Sequence, residues 1–154
     1  MDHAPAPEPG DAAALVVQSL ELAAARCPDL TAPVYERLFR THPETRGMFR
    51  AEARDLVKGS MLQTALEALL DFVGAREGSY RMIACEVLNH DGYGTPPELF
   101  RAFFAVIAAT LKDIVGDAWT PAIDAAWRAT LDELDRLIDG ALAPVPEAAG
   151  RGEG

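Results

Sequence analysis

Basic residues are scarce in this 154-residue chain, which carries 14 Lys and Arg against 24 Asp and Glu and a formal net charge of −10. Nucleic-acid binding depends on a clustered positive surface that neutralises phosphates, and anionic lipid surfaces attract proteins in the same way. The charge balance therefore argues against a nucleic acid and against a membrane surface as partner.

Long apolar runs and cysteines are also few. No apolar run approaches the roughly 20 residues of a membrane-spanning helix, and the N-terminal MDHAPAPEPGD lacks the basic region and apolar core of a secretory signal. We therefore expect a cytoplasmic protein. Cys27 and Cys85 lie in apolar helix-like contexts without metal-ligand spacing. In that compartment they are expected to be buried free thiols.

The sequence is rich in Leu and Ala, and its apolar residues follow a helical period almost throughout. In the last segment, the apolar positions spaced by four, four, three and four are Ile123, Trp127, Leu131, Leu134 and Ile138. No segment alternates with the two-residue period of a strand, and Gly and Pro separate helices. The pattern predicts one all-α domain over 11–142. The Pro-, Ala-, Gly- and Glu-rich segments 1–10 and 143–154 are predicted to be disordered tails.

Two Thr-Pro pairs indicate where late helices begin. Thr95-Pro96-Pro97-Glu98 has the form of a capping box, with a glutamate three residues after the threonine and proline just inside the helix. Thr120-Pro121 opens the last helix in a similar way. Both threonines are therefore predicted to cap a helix N-terminus.

His90 lies on the apolar stripe of a short helix, where Ile83, Val87 and His90 follow the i, i+4, i+7 spacing. One interpretation is a histidine whose charge favours a helix C-terminus before Gly92. Another is a neutral ring nitrogen offered to a metal. A zinc or two-iron site would lack ligands, because no second histidine, cysteine or carboxylate pair lies nearby at ligand spacing. One protein ligand is enough for an iron held by a macrocycle, which points to haem.

Three segments, TAPVYERLFRTHPETRGMF (31–49), HDGYGTPPELF (90–100) and WTPAIDAAW (119–127), together resemble the globins. The likeness is to bacterial single-domain haemoglobins and to the globin part of flavohaemoglobins, over roughly 12–140. Its most specific feature is the order and spacing of six residues, Tyr35, Pro43, Phe49, His90, Pro97 and Trp127. The resemblance implies a globin fold of six to eight helices around a haem pocket, with haem b as the cofactor.

The resemblance also assigns roles to single residues. His90 would be the proximal ligand of the haem iron. Phe49 matches the phenylalanine that wedges the haem, a role that coincides with ordinary core packing. Tyr35 matches a tyrosine of the second helix that points at the gas bound to the iron; the alternative is a core aromatic whose hydroxyl is satisfied elsewhere.

The register of the long helix before His90 leaves two alternatives for the distal side. Counting back from His90 puts Lys58 at the position that is usually Gln or His, with Leu62 one turn deeper against the haem. A slip of one residue would put Val57 and Met61 there instead. Lys58 could also extend toward solvent or a haem propionate.

Two departures from the flavohaemoglobin pattern bear on activity. Phe100 stands where that family has a tyrosine that charges the proximal histidine, and Asp139 is the acidic residue nearest to the position of the family's glutamate. A less anionic proximal ligand favours reversible gas binding over oxygen–oxygen cleavage. The chain also lacks a Gly-rich dinucleotide fingerprint and room for a reductase domain. Turnover would therefore need electrons from a separate reductase.

The leading hypothesis is a haem protein, monomeric or homodimeric, that reversibly binds dioxygen and also nitric oxide or carbon monoxide, as in oxygen transport. One alternative is a haem enzyme, a nitric oxide dioxygenase or weak peroxidase. Another is a gas sensor that acts through a separate partner. A globin-fold module without haem would not need Tyr35, Phe49 and His90 together.

Overall fold

The computed structural model describes residues 9–48, 54–78, 80–92 and 94–143. Its α-helices are α1 Pro9–Arg26, α2 Thr31–Thr41, α3 Arg54–Val73, α4 Arg81–Gly92, α5 Pro97–Val115 and α6 Pro121–Leu142. Two 3-10 helices, Pro43–Met48 and Gly116–Ala118, lie between them. No strand occurs in these ranges. The all-α class is therefore confirmed.

The two predicted tails, 1–10 and 143–154, lie outside the described residues except at 9–10 and 143. Their disorder stays a prediction, and residues 9 and 10 belong to α1. Across the part of the chain that the structure describes, no helix is both long enough and apolar enough to span a bilayer.

The two predicted threonine caps have different outcomes. Thr120 is the N-cap of α6, and its hydroxyl accepts a hydrogen bond from the Ile123 amide at 3.1 Å. The cap predicted at Thr95 is wrong, because Pro96 is the N-cap of α5 and supplies no side-chain acceptor. The Thr95 amide instead donates to the His90 carbonyl at 2.8 Å. Thr95 therefore belongs to the turn that closes α4.

One part of the core forms where α1 packs against α5 and α6. Trp127 of α6 is buried there, and its indole nitrogen donates to the Ser19 hydroxyl of α1 at 2.9 Å. Ser19 is itself fully buried and donates to the Val16 carbonyl at 2.6 Å. Every polar atom of this pair thus has a partner, which is what a stable buried polar contact requires.

Asp71 organises the connection between α3 and α4. Its carboxylate accepts hydrogen bonds from the backbone amides of Glu77, Gly78 and Tyr80, at 2.7, 3.1 and 2.9 Å. These donors favour the charged form and hold the pKa of Asp71 below its usual value. Within the same turn Arg76 adopts a positive φ of 53°, and its guanidinium donates to the Phe72 carbonyl. The Asp71 and Arg76 side chains therefore both stabilise the joint between the two helices.

Both cysteines are free thiols, as predicted. Their predicted burial is wrong, because Cys27 is half-buried and Cys85 is exposed. Cys85 occupies a position of α4 between the buried Ile83 and Val87, so the helical turn carries it to the opposite side. The apolar context of the sequence did not separate these two faces.

Candidate functional site

A cavity of about 750 Å³ lies between α3 on one side and α4 and α5 on the other. Its lining is mostly apolar; Glu86 and His90 are the ionisable side chains that the described residues contribute. Small-molecule and cofactor sites have volumes of roughly 300–1,000 Å³ and the same mixture of apolar walls and few polar groups. The wall formed by α4 and α5 consists of Met82, Ile83, Glu86, His90, Leu99, Phe100, Phe103 and Phe104.

His90 reaches this cavity because α4 turns one face inward. Ile83 and Val87 of the same stripe are buried, as their spacing predicts, and His90 follows at the end of the helix with 27% of its side chain exposed. His90 Nδ1 lies 2.8 Å from the backbone carbonyl oxygen of Glu86. A carbonyl can only accept a hydrogen bond, so Nδ1 is the donor, and in the neutral ring Nε2 keeps its lone pair. The neutral form of His90 therefore has one nitrogen that can ligate a metal.

Two further groups surround the His90 ring. Phe100 meets it edge to face, with ring centroids 5.3 Å apart and an interplanar angle of 64°. A carboxylate oxygen of Glu86 lies 3.5 Å from His90 Nδ1. Asp139 is engaged elsewhere, in an ion pair with Arg101. The ring is therefore held by one carbonyl, one aromatic edge and one nearby carboxylate.

The opposite wall belongs to α3. The α3 residues that line the cavity repeat at helical spacing and are Val57, Ser60, Met61, Thr64, Ala65 and Ala68. Of the two register alternatives, the structure places Val57 and Met61 on the wall, and Lys58 and Leu62 off it. Leu62 is 4% exposed and belongs to the apolar core. A shift of one residue turns a helix by about 100°, which moves a side chain from the cavity to the core.

Tyr35 and Lys58 form a contact behind this wall. The Tyr35 hydroxyl donates to the Lys58 backbone carbonyl at 3.0 Å. Tyr35 is 2% exposed, and burial raises the pKa of its hydroxyl, so it stays protonated. The Lys58 ammonium lies 5.6 Å from the Tyr35 ring centroid and 5.8 Å from that of Phe39. Tyr35 is not among the residues that line the cavity.

The 3-10 helix Pro43–Met48 and the turn before α5 both contribute to the cavity lining. The Thr95 hydroxyl and the Met48 sulfur, both cavity-lining, approach each other to 3.9 Å. Met48, Val57 and Met82 are large apolar side chains that line the cavity and are also exposed. Phe49, the predicted wedge, lies outside the described residues, and its role stays a prediction.

Sequence reasoning missed Glu86. The signal was available, because residues four apart on a helix face the same way and Glu86 precedes His90 by four. A pattern of apolar residues does not select Glu86, because it is a charged residue on that face. The exposed apolar residues that line the cavity, Met48, Val57 and Met82, had no comparable signal in the sequence.

The donor set suits a macrocyclic iron. Among the described residues, no three or more His, Cys, Asp or Glu side chains come together as a metal-binding group. A single histidine nitrogen in a mostly apolar cavity of this size is sufficient for an iron whose other ligands come from a macrocycle. The residues present therefore fit a haem.

Comparisons with known proteins agree with this geometry. The family model described as Globin matches residues 32–136. The Flavohemoprotein of Rhizobium meliloti (strain 1021) is 25% identical over 109 residues, a match that covers 69% of this chain and 27% of that protein. The chain thus spans about a quarter of the length of this relative. No solved structure matches the chain.

Proposed function

Because the chain belongs to the globin family, we propose that it binds haem b in the cavity and there reversibly binds dioxygen and other diatomic gases. The observation that carries the proposal is the contact of His90, a cavity-lining residue, whose Nδ1 lies 2.8 Å from the Glu86 carbonyl oxygen, so that the neutral ring has its lone pair on Nε2. Haem, when bound, supplies the iron at which gases bind.

The role proposed for His90 is that of the proximal ligand. The hydrogen bond at Nδ1 fixes the tautomer and limits rotation of the ring, and such outer contacts raise the basicity of a ligating histidine. The edge of Phe100 restricts the ring from the side. Together these contacts prepare His90 before any ligand arrives, so little ordering remains to be done on binding.

The gas would lie on the side of α3. Val57 and Met61 are proposed to cover this face, and the hydroxyls of Ser60 and Thr64 are the polar groups that α3 adds to the cavity. A mostly apolar face excludes water from the gas site, which favours reversible binding over side reactions. Tyr35 is proposed to act behind this face, through its hydrogen bond to the Lys58 carbonyl.

A second candidate is a haem enzyme such as a nitric oxide dioxygenase that takes electrons from a separate reductase. The observation that favours it is the likeness to a protein named Flavohemoprotein, of which this chain matches 27%. We place it second because the match covers only 27% of that protein.

The test is the absorption spectrum of the purified protein after addition of haem, in oxidised and reduced states and with carbon monoxide. Binding of one haem per chain, with a reduced spectrum that carbon monoxide changes, supports the proposal. A protein that takes up no haem would refute it. A reductase-coupled nitric oxide consumption assay then separates the two candidate functions.

A further inference from the structure

We infer that Glu86 positions His90 and tunes its electron donation, an inference that rests on the haem site proposed above. Glu86 lies one turn before His90 on α4 and lines the same cavity. Its carbonyl oxygen is 2.8 Å from His90 Nδ1, and its carboxylate oxygen Oε2 is 3.5 Å from the same nitrogen. One residue thus brings a dipole and a negative charge to the ring nitrogen opposite the ligating one.

The two contacts act differently. The carbonyl accepts the Nδ1 proton and sets the tautomer. At 3.5 Å the carboxylate is too far for a good hydrogen bond, so it acts mainly through its charge. Asn89 donates to the other carboxylate oxygen at 3.4 Å, which helps keep Oε2 toward His90. The Glu86 side chain is 40% exposed, so solvent weakens this charge without removing its effect.

No other acid among the described cavity-lining residues competes for this role. Asp139 is paired with Arg101, and Phe100 offers an aromatic edge without charge. A negative charge beside Nδ1 raises electron density at Nε2 and stabilises a ferric more than a ferrous iron. The Glu86 carboxylate therefore lowers the reduction potential of the site.

The experiment compares the haem-loaded wild-type protein with Glu86→Gln, which keeps the shape and the backbone carbonyl but removes the charge. The measurements are the midpoint potential and the iron–histidine stretching band in resonance Raman spectra. We expect the ratio of ferric to ferrous haem affinity to fall about tenfold, a rise of about 59 mV in potential for one electron. The iron–histidine stretch should move to lower frequency.

Glu67→Gln is the matched control, because Glu67 lies on the exposed face of α3 outside the cavity lining and makes the same change in net charge. Glu86→Ala is the second variant and should shift both signals in the same direction as Glu86→Gln. A shift no larger in Glu86→Gln than in Glu67→Gln overturns the inference. If the wild-type protein binds no haem, the proposed function fails first, and with it this inference.

Discussion

The two walls of the cavity differ in how their polar groups are arranged. On the α4–α5 wall, His90 is fixed at Nδ1 by the Glu86 carbonyl and at its side by Phe100. On the α3 wall the lining is Val57, Met61 and small side chains. The nearby Tyr35 hydroxyl donates its hydrogen bond to the Lys58 backbone carbonyl. One wall is built around a single directed nitrogen, and the other forms an apolar cover. If the cavity holds haem as proposed, ligation and gas access would be divided between separate helices.

The largest expected effect is the loss of haem binding on replacement of His90. His90→Ala should abolish haem retention, because losing a ligand should exceed the roughly 10–100-fold cost of losing an outer contact. Haem content after gel filtration measures it. His42→Ala is the control, since His42 does not line the cavity. Retention of haem by His90→Ala at the wild-type level would contradict the assignment, and added imidazole restoring the spectrum of His90→Gly would sharpen it.

A second experiment tests the register of the apolar wall with two neighbouring residues. Leu62→Ala should lower the free energy of unfolding by about 2–5 kcal/mol, because Leu62 is a core residue. Met61→Ala should cost less stability, since Met61 is half-buried on the cavity wall, and should alter carbon monoxide rebinding. Urea unfolding and flash photolysis measure the two effects. If Met61→Ala cost more stability and Leu62→Ala altered carbon monoxide rebinding, the register with Lys58 and Leu62 at the cavity would be favoured instead.

Tyr35→Phe is expected to change stability more than it changes gas binding. The variant removes the hydrogen bond from the hydroxyl to the Lys58 carbonyl, at a cost of about 0.5–1.5 kcal/mol. Because the single hydroxyl hydrogen points to that carbonyl, the dioxygen dissociation rate should change by less than about threefold. This is smaller than the tenfold change that about 1.4 kcal/mol would produce. Stopped-flow dissociation checks this. A tenfold faster rate would mean that the hydroxyl turns toward the gas.

The smallest expected effect is on stability, through Asp71 at the connection between α3 and α4. The pKa of Asp71 is lowered in the folded protein by backbone amides, so its contribution to stability is complete above the unfolded value and is lost as pH falls through the lowered one. Asp71→Asn should therefore be less stable than wild type at pH 7, and the gap should narrow below the ordinary value of 3.8. Thermal unfolding at both pH values measures it; a gap independent of pH would contradict the role.

The sequence predicted the helices and the inward-facing stripe of α4, and it left two alternatives for the register of α3. Pro28, Gly116 and Thr120 punctuate the chain by local chemistry that acts wherever they stand, and α1, α5 and α6 end or begin beside them. His90 follows from its stripe. The α3 register depends on the segment before Arg54, where the spacing is not periodic. An error of one residue there rotates every α3 side chain by about 100°.

Thr95 shows a second kind of limit. Its sequence has the residues of a capping box. The helix nevertheless starts at Pro97, after two consecutive prolines, and Pro96 is the N-cap. The freed hydroxyl then meets Met48 from a distant part of the chain. A contact of this kind is set by tertiary structure and has no periodic signature.

An occupant of the cavity that covered its exposed apolar side chains, Met48, Val57 and Met82, would link the lifetime of the protein to the supply of its cofactor. An occupant that covers them binds the folded chain and not the unfolded one, so it stabilises the fold by about 4.1 kcal/mol at a concentration a thousand times its Kd. Chains made faster than haem is delivered would lack this increment and would unfold and be degraded more often. Abundance in the cell would then report haem availability, through mass action alone.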